Sequence, residues 1–108
     1  MKKIFISQPM KDKTDGEILE ERTRCIKVAK EILKDDDVTV IDSFFKGAPE
    51  KYSPLQCLSK SISKLDEADL VFFAKDWNKY RGCKIEHRIA IDYGIPVMTW
   101  EEIEVQED

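Results

Sequence analysis

The chain has no long apolar run and no excess of basic charge, and each absence argues against a class of protein. Its first residues, Met1–Ser7, hold an apolar run of only three residues, far too short for a signal-peptide core or a membrane span. The formal net charge is −4, whereas proteins that bind a phosphate backbone usually gather basic charge on one face. We therefore expect a cytoplasmic protein that binds neither a membrane nor a nucleic-acid polymer.

The three cysteines, Cys25, Cys57 and Cys83, lack the paired spacing of a disulfide framework. Cys83 and His87 stand four residues apart on a predicted helix, but two ligands do not make a zinc site and no Cys-x-x-Cys pair supports them. The chain also lacks the Gly-x-Gly-x-x-Gly pattern of a dinucleotide-binding loop. We expect neither a metal nor a cofactor.

Short apolar runs alternate with amphipathic segments along the chain, without a repeat, a low-complexity stretch or a linker. This alternation is typical of a parallel sheet covered by helices, and 108 residues suit one domain, residues 1–108. We expect an α/β fold, a Rossmann-like or flavodoxin-like three-layer domain with a central, mainly parallel four-stranded sheet. The predicted strands are Lys3–Ser7, Val38–Ile41, Leu70–Ala74 and Ile95–Thr99.

Capping residues and helical spacing predict three helices. Thr14–Glu17 matches a capping box, and Ser53–Gln56 is a second helix start with proline at the first helical position. The first helix should end near Asp35, and the third should run from about Cys83 to Tyr93 with Gly94 as its left-handed cap. The second helix is expected to bury one stripe of apolar residues: Leu55, Leu58, Ile62, Leu65 and Ala68.

Right-handed crossovers between such strands favour the sheet order 2-1-3-4, with the topological switch between strands one and three. In open α/β sheets, ligands bind outside the carboxyl ends of the strands at that switch. Trp77 could stack there on a base, or serve as a hydrophobic lid or subunit contact. The candidate binding residues at this edge are Ser7, Gln8, Met10, Asp42, Trp77 and Gly82.

Glu86 lies beside the apolar stripe of the predicted third helix, a stripe that extends to Tyr93. The helix macrodipole would help to keep this carboxylate ionised despite partial burial. An ionised, partly desolvated carboxylate that faces a crevice suits nucleophilic attack on an electron-poor sugar carbon. The structural alternative is that Glu86 complements the helix dipole or pairs with Arg81 or Arg88. His87 is expected to point into solvent.

Three segments of the chain carry a family resemblance: Ile4–Met10, Leu65–Val71, and Gly82–Glu86 followed by Ala90 and Gly94–Pro96. Together they resemble the nucleoside 2-deoxyribosyltransferase-like superfamily, in particular its short, mostly uncharacterised bacterial and phage members. The resemblance covers nearly the whole chain. It implies a Rossmann-like homo-oligomer that cleaves the bond between base and deoxyribose, with Glu86 forming a covalent deoxyribosyl intermediate.

Two positions depart from the pattern of active relatives. Phe5 stands where they have a tyrosine, and Ser61 aligns with their catalytic aspartate. A serine can bind the base or leaving group through a hydrogen bond, which makes Ser61 a further candidate binding residue, but it cannot act as a carboxylic acid. Asp76, just after strand three, is the preferred replacement acid, while Asp69 is expected to support the turn into that strand. The resemblance thus implies a deoxyribosyltransferase or a deoxynucleoside (5'-phosphate) N-hydrolase. The alternative is an inactive nucleotide-binding or sensor module of the same fold.

Overall fold

Four parallel strands form the central sheet, in the order β2-β1-β3-β4. The computed structural model describes residues 2–9, 13–34, 37–41 and 53–101. Helix α1 covers one face of the sheet, and α2 and α3 cover the other. This arrangement confirms the predicted α/β fold and the predicted strand order. The elements are β1 (Lys2–Ser7), α1 (Asp15–Leu33), β2 (Val38–Val40), α2 (Pro54–Leu65), β3 (Leu70–Phe73), a 3₁₀ turn (Trp77–Lys79), α3 (Arg81–Asp92) and β4 (Val97–Thr99).

The two central strands divide their apolar side chains between the two helical layers. In β1, Ile4 and Ile6 pack towards α1, whereas Phe5 packs towards α2 and α3. All four residues of β3, Leu70–Phe73, are buried and alternate in the same way. Strand alternation therefore fixes which layer each side chain of β1 faces, up to the carboxyl end of the strand.

Capping residues set the beginnings of two helices as predicted. The Thr14 hydroxyl accepts a hydrogen bond from the Glu17 backbone amide (3.2 Å), and the Glu17 carboxylate accepts one from the Thr14 amide (3.1 Å). Ser53 and Gln56 form the same reciprocal pair at the start of α2, at 3.2 and 2.8 Å. Each box satisfies two backbone donors that a helix start otherwise leaves unpaired.

Two side chains expected on buried stripes are exposed instead. Leu55 is 77% exposed and Tyr93 is 80% exposed. Leu55 lies about 80° around α2 from Leu65, the buried residue of that helix, and therefore falls beside the packed face. Tyr93 follows the last residue of α3 and has non-helical backbone angles (φ −98°, ψ 7°), so it no longer continues the stripe.

The chain ends α3 with a left-handed glycine, as predicted. Gly94 has a φ of 70°, and the neighbouring turn leads directly towards β4. Within the described part of the chain, no helix is both long and apolar enough to cross a membrane. The predicted loop after strand two and the acidic end of the chain fall mostly on residues 42–52 and 102–108, outside the described residues.

We predict opposite effects of alanine at two glycines that both face open space. A Cβ at Gly94 or at Gly82 would meet no atom within 4 Å, so neither substitution causes a clash. Gly94→Ala should lower the free energy of unfolding by about 1 kcal/mol, because Gly94, unlike Gly82, has a left-handed backbone that disfavours a Cβ atom. Gly82→Ala, within α3, should raise it by about 0.5 kcal/mol. Urea denaturation measures both changes, and a Gly94→Ala protein as stable as the wild type would contradict the first.

Candidate functional site

The candidate site lies at the carboxyl ends of β1 and β3, where the chain connections diverge to opposite faces of the sheet. Ser7 is in register with Phe73, and the Ala74 amide donates to the Ser7 carbonyl (2.9 Å) just beyond the strand ends. Helix α1 follows β1 on one face, and α3 follows β3 on the other. This is the topological switch at which open α/β sheets bind their ligands.

Ser7 and Glu86 meet at this switch. The Ser7 hydroxyl donates a hydrogen bond to Glu86 Oε1 (3.2 Å), although the two residues are 79 positions apart. Ser7 lies on the same face of β1 as Phe5, and it therefore points towards α3. Glu86 is one of three buried residues of α3 and is only 7% exposed. The structure therefore brings the predicted carboxylate and the predicted first-strand serine into direct contact.

Burial raises the pKa of Glu86 to about 7, and the hydrogen bond from Ser7 opposes this increase. We expected the helix macrodipole to help to keep the carboxylate ionised, but the pKa is raised rather than lowered. Helix α3 begins at Arg81, two residues earlier than predicted, so Glu86 lies in its second turn, where the dipole has faded. Both protonation states are consequently populated near neutral pH. A carboxyl group exchanges protons most efficiently when its pKa lies close to the working pH.

One form of the structural alternative was an ion pair of Glu86 with Arg81 or Arg88, and the described residues show neither pair. Arg88 is exposed and pairs with Asp92, one turn further along α3 (2.9 Å). Among the residues that the structure describes, no cation lies within ion-pair distance of Glu86. Its one described hydrogen-bond partner is the uncharged hydroxyl of Ser7. Within the described ranges, no opposite charge therefore compensates the desolvation of this carboxyl group.

Cys83 lies one turn before Glu86 on the same buried face of α3. Burial raises the pKa of its thiol to about 12, and the Ser7 hydroxyl opposes this increase. The side chain is thus a neutral thiol at physiological pH and contributes packing rather than a nucleophile. Across the described ranges, no three His, Cys, Asp or Glu side chains are grouped so that they could hold a metal ion.

Three rings form a cluster beside the site: Phe73, Trp77 and His87. The rings of Trp77 and His87 are stacked, with centroids 4.4 Å apart and an interplanar angle of 22°. Phe73 packs against both, at centroid distances of 5.1 and 5.0 Å, and Trp77 Nε1 donates to Glu101 Oε2 (3.2 Å). The expectation that His87 points into solvent is wrong, because its ring covers one face of Trp77. Stacking of a base on Trp77 stays a prediction and is restricted to its other face.

The predicted acid at position 76 lies at the correct edge of the sheet but is engaged elsewhere. Asp76 has a left-handed backbone (φ 65°), and its half-exposed carboxylate pairs with Lys79 (3.4 Å). No described hydrogen bond joins it to Glu86, so its catalytic role stays a prediction. Asp69, in contrast, accepts a hydrogen bond from the Lys3 amide (2.8 Å) at the opposite edge, which confirms its structural role.

The structure describes only two of the four remaining predicted binding residues. Ser61 is half-buried on α2, and Gly82 lies in the first turn of α3 with open space where a side chain would project. Met10 and Asp42 lie outside the described residues. A binding role for these four positions therefore stays a prediction.

Sequence reasoning did not anticipate the contacts that α1 makes at this edge. Arg22, one turn after Ile18 on the inner face of α1, is buried, and its Nη2 donates to the Ile41 carbonyl at the end of β2 (2.6 Å). Lys13 pairs with Glu21 (3.9 Å) and lies 6.0 Å from the centroid of the Tyr80 ring, just before α3. The signal for Arg22 was its helical spacing within an otherwise apolar stripe.

A small hollow lies on the α1 side of the same edge, with a volume of about 50 Å³. Glu86 is not part of its lining, and the hollow is too small for a sugar or a base, although it would hold water. Glu21 contributes a buried Oε1 atom that no donor reaches within the described residues. The residues that line the hollow are Glu21, Arg24, Cys25, Lys75 and Trp100.

The fold and the site define an α/β protein with a buried, hydrogen-bonded carboxyl group at the topological switch. The sequence model of a family described as a domain of unknown function (DUF4406) matches residues 2–99, a range that includes every candidate site residue. The chain therefore belongs to this family. No curated protein matches the chain, and no solved structure does.

We predict that Glu86 makes the stability of the protein depend on pH. Below pH 4.5 the carboxyl is protonated in the folded and unfolded states; as the pH rises to about 7, only the folded state retains the proton, so stability is lost. A difference of this size corresponds to about 3 kcal/mol above pH 7. Urea denaturation between pH 4 and 8 should show this loss in the wild type and not in Glu86→Gln. The exposed Glu67→Gln variant is the control, and parallel pH curves for all three proteins would contradict the assignment.

We predict that removing the Ser7 hydroxyl raises the pKa of Glu86 further. The hydroxyl stabilises the carboxylate form, so its loss in Ser7→Ala favours the protonated form. The pH at which stability stops falling should consequently move upwards in the same denaturation experiment. Ser63→Ala, which removes an exposed hydroxyl bonded to the Lys60 carbonyl, should leave it unchanged. An unchanged or lower value in Ser7→Ala would show that the hydrogen bond does not act on the carboxylate.

Proposed function

We propose that the protein cleaves or transfers the N-glycosidic bond of a 2'-deoxynucleoside or its 5'-monophosphate, with Glu86 as the nucleophile. The observation that carries the proposal is the buried Glu86 carboxyl, oriented by Ser7 at the switch between β1 and β3. A strongly shifted carboxyl group at a ligand-binding edge is a typical feature of a catalytic site. The resemblance of the surrounding segments to nucleoside 2-deoxyribosyltransferase-like proteins supports the same reaction.

The reaction would proceed in two displacements at the anomeric carbon. The Glu86 carboxylate attacks this carbon, the bond to the base breaks, and the base leaves with the electron pair and takes up a proton. Water or a second base then attacks the deoxyribosyl ester and releases Glu86 as a carboxylate. Water gives hydrolysis, and a base gives transfer.

The contact with Ser7 suits a nucleophile because it occupies one carboxylate oxygen of Glu86 and leaves the other available for attack. Oε1 accepts the hydrogen bond, and Oε2 has no described hydrogen-bond partner. The hydrogen bond restricts rotation of the carboxyl group, so that Oε2 can be aimed at a bound sugar. Partial desolvation makes the ionised form more reactive, and with a pKa of about 7 about half of the Glu86 carboxyl groups are ionised at neutral pH.

The leaving base needs a proton donor, and Asp76 is the candidate. It follows β3 closely, three residues after Phe73, and therefore lies at the same edge of the sheet as Ser7. Its partner Lys79 is on the surface, so a bound substrate could replace this ion pair at small cost. The proposal further includes Ser7, Gln8, Met10, Asp42, Ser61, Trp77 and Gly82 as residues around the substrate, in a cytoplasmic homo-oligomer.

A second candidate function is a nucleotide-binding or sensor module without turnover. It is favoured by the surroundings of Glu86, which offer one hydroxyl and no second acid among the described contacts. Phe5 is fully buried in the core and contributes no hydroxyl, and Ser61 cannot supply a proton as a carboxylic acid. Such a module would keep the crevice and bind the same ligand class.

We predict that the wild type releases base from deoxynucleosides or their 5'-monophosphates and that Glu86→Gln reduces this rate at least about a thousandfold. Because the carboxylate is the reactive form, kcat/KM should rise with pH through about 7. Liquid chromatography of free base, with and without an acceptor base, separates hydrolysis from transfer. Glu67→Gln makes the same chemical change at the opposite edge of the sheet and should keep full activity.

The covalent intermediate gives this experiment a second readout. Mass spectrometry of rapidly quenched wild-type protein should find one deoxyribosyl group on the peptide that contains Glu86. Base release that persists in Glu86→Gln would refute the proposed nucleophile. Thermal stabilisation by nucleotides without any base release would instead support the binding module.

A further inference from the structure

The side-chain amide of Gln8 leaves one buried hydrogen-bonding atom without a partner. Gln8 is 5% exposed, and its Nε2 donates to the backbone carbonyl of Ile18 in α1 (2.8 Å). A carbonyl oxygen can only accept, so this bond fixes the orientation of the amide and places the oxygen on the other side. Within the described residues no donor reaches Gln8 Oε1. A buried acceptor in this state can be satisfied by an ordered water or by a donor from a ligand.

Gln8 and Ser7 contact opposite helical layers beside the proposed crevice. Ser7 contacts Glu86 on α3, whereas Gln8, the next residue, contacts Ile18 on α1. One turn further along α1, Glu21 also has a buried oxygen without a described donor. The α3 side of the site therefore carries the Glu86 carboxyl, and the α1 side carries two buried oxygen atoms, Gln8 Oε1 and Glu21 Oε1, that no described donor reaches.

The proposed reaction places the sugar of the substrate near α3 and its base near α1. Glu86 attacks the anomeric carbon from the α3 side, and in an in-line displacement the leaving group departs on the opposite side. The base is therefore directed towards the α1 side of the site, where Gln8 lies with its Oε1 turned away from the Ile18 carbonyl. A base with an exocyclic amine can donate a hydrogen bond to this oxygen, whereas an oxo group at the same position would set two acceptors against each other.

We propose that Gln8 Oε1 accepts a hydrogen bond from the exocyclic amine of the leaving base, which makes Gln8 a specificity-determining residue for amino bases. This inference rests on the proposed function for the orientation of the substrate. The bond from Nε2 to Ile18 locks the amide, so Gln8 cannot rotate to present a donor to an oxo base without breaking a buried hydrogen bond. The site should thus prefer adenine to hypoxanthine and cytosine to uracil.

Two substrate pairs that differ by amine and oxo groups test this inference: deoxyadenosine with deoxyinosine, and deoxycytidine with deoxyuridine. Wild-type kcat/KM should favour the amino member of each pair by about tenfold or more, and Gln8→Met should bring the ratio close to one. Both kcat/KM values of a ratio are measured on the same variant, so a smaller fraction of folded protein lowers both equally and leaves the ratio unchanged. Ala29→Gly, which weakens α1 away from the crevice, is the control and should keep the wild-type preference.

Calorimetric binding of the same four nucleosides to Glu86→Gln, with and without Gln8→Met, separates the two proposals. If binding depends on the amine and requires Gln8, but the wild type releases no base, the role of Gln8 is upheld and the proposed reaction is refuted. Turnover without an amine preference, or a preference that survives Gln8→Met, would overturn the role of Gln8 and leave the reaction intact. If Gln8→Met does not fold, equal wild-type rates within each pair still overturn it. Absence of both binding and turnover would overturn both.

Discussion

The hydrogen bond between Ser7 and Glu86 joins the end of the first strand to the last helix, and the candidate chemistry depends on it. It holds a carboxyl group in a place where burial disfavours the ionised form and where the described residues supply no opposing charge. A leucine or a glutamine could occupy this position of α3 without that cost. A protein that retains a carboxyl group there loses stability at neutral pH, and a reaction that uses the group gives a physical reason for its presence.

The fold follows from local signals to a large extent. The capping boxes at Thr14 and Ser53 begin helices as predicted, Gly94 ends one, and the handedness of crossovers yields the strand order. The errors arise where tertiary contacts decide. Leu55 is an apolar residue of the type usually buried, but it lies beside the packed face of α2. No local sequence pattern shows that His87 stacks on Trp77.

The part of the site that lies on regular secondary structure was also predictable. Ser7 and Glu86 could be placed by strand alternation and helical spacing, because both lie on regular elements. The shift of the Glu86 pKa was not predictable, since it depends on where α3 begins and on how completely the helix covers the sheet. The unpaired oxygen of Gln8 also has no sequence signal, because it follows from a contact between a loop and the backbone of α1. Membership in a family of unknown function implies no activity, so the candidate function depends on the site geometry and on the resemblance of the surrounding segments.

The most direct test of this account is the titration of the Glu86 side-chain carboxyl itself. Carbon-13 NMR of labelled protein follows each glutamate through its chemical shift, and the signal absent from Glu86→Gln identifies the residue. The account predicts a titration midpoint near 7 for this signal, as burial beside Ser7 requires. A midpoint at the ordinary glutamate value of 4.5 would mean that the carboxyl group is solvated, and it would contradict the buried nucleophile on which the account depends.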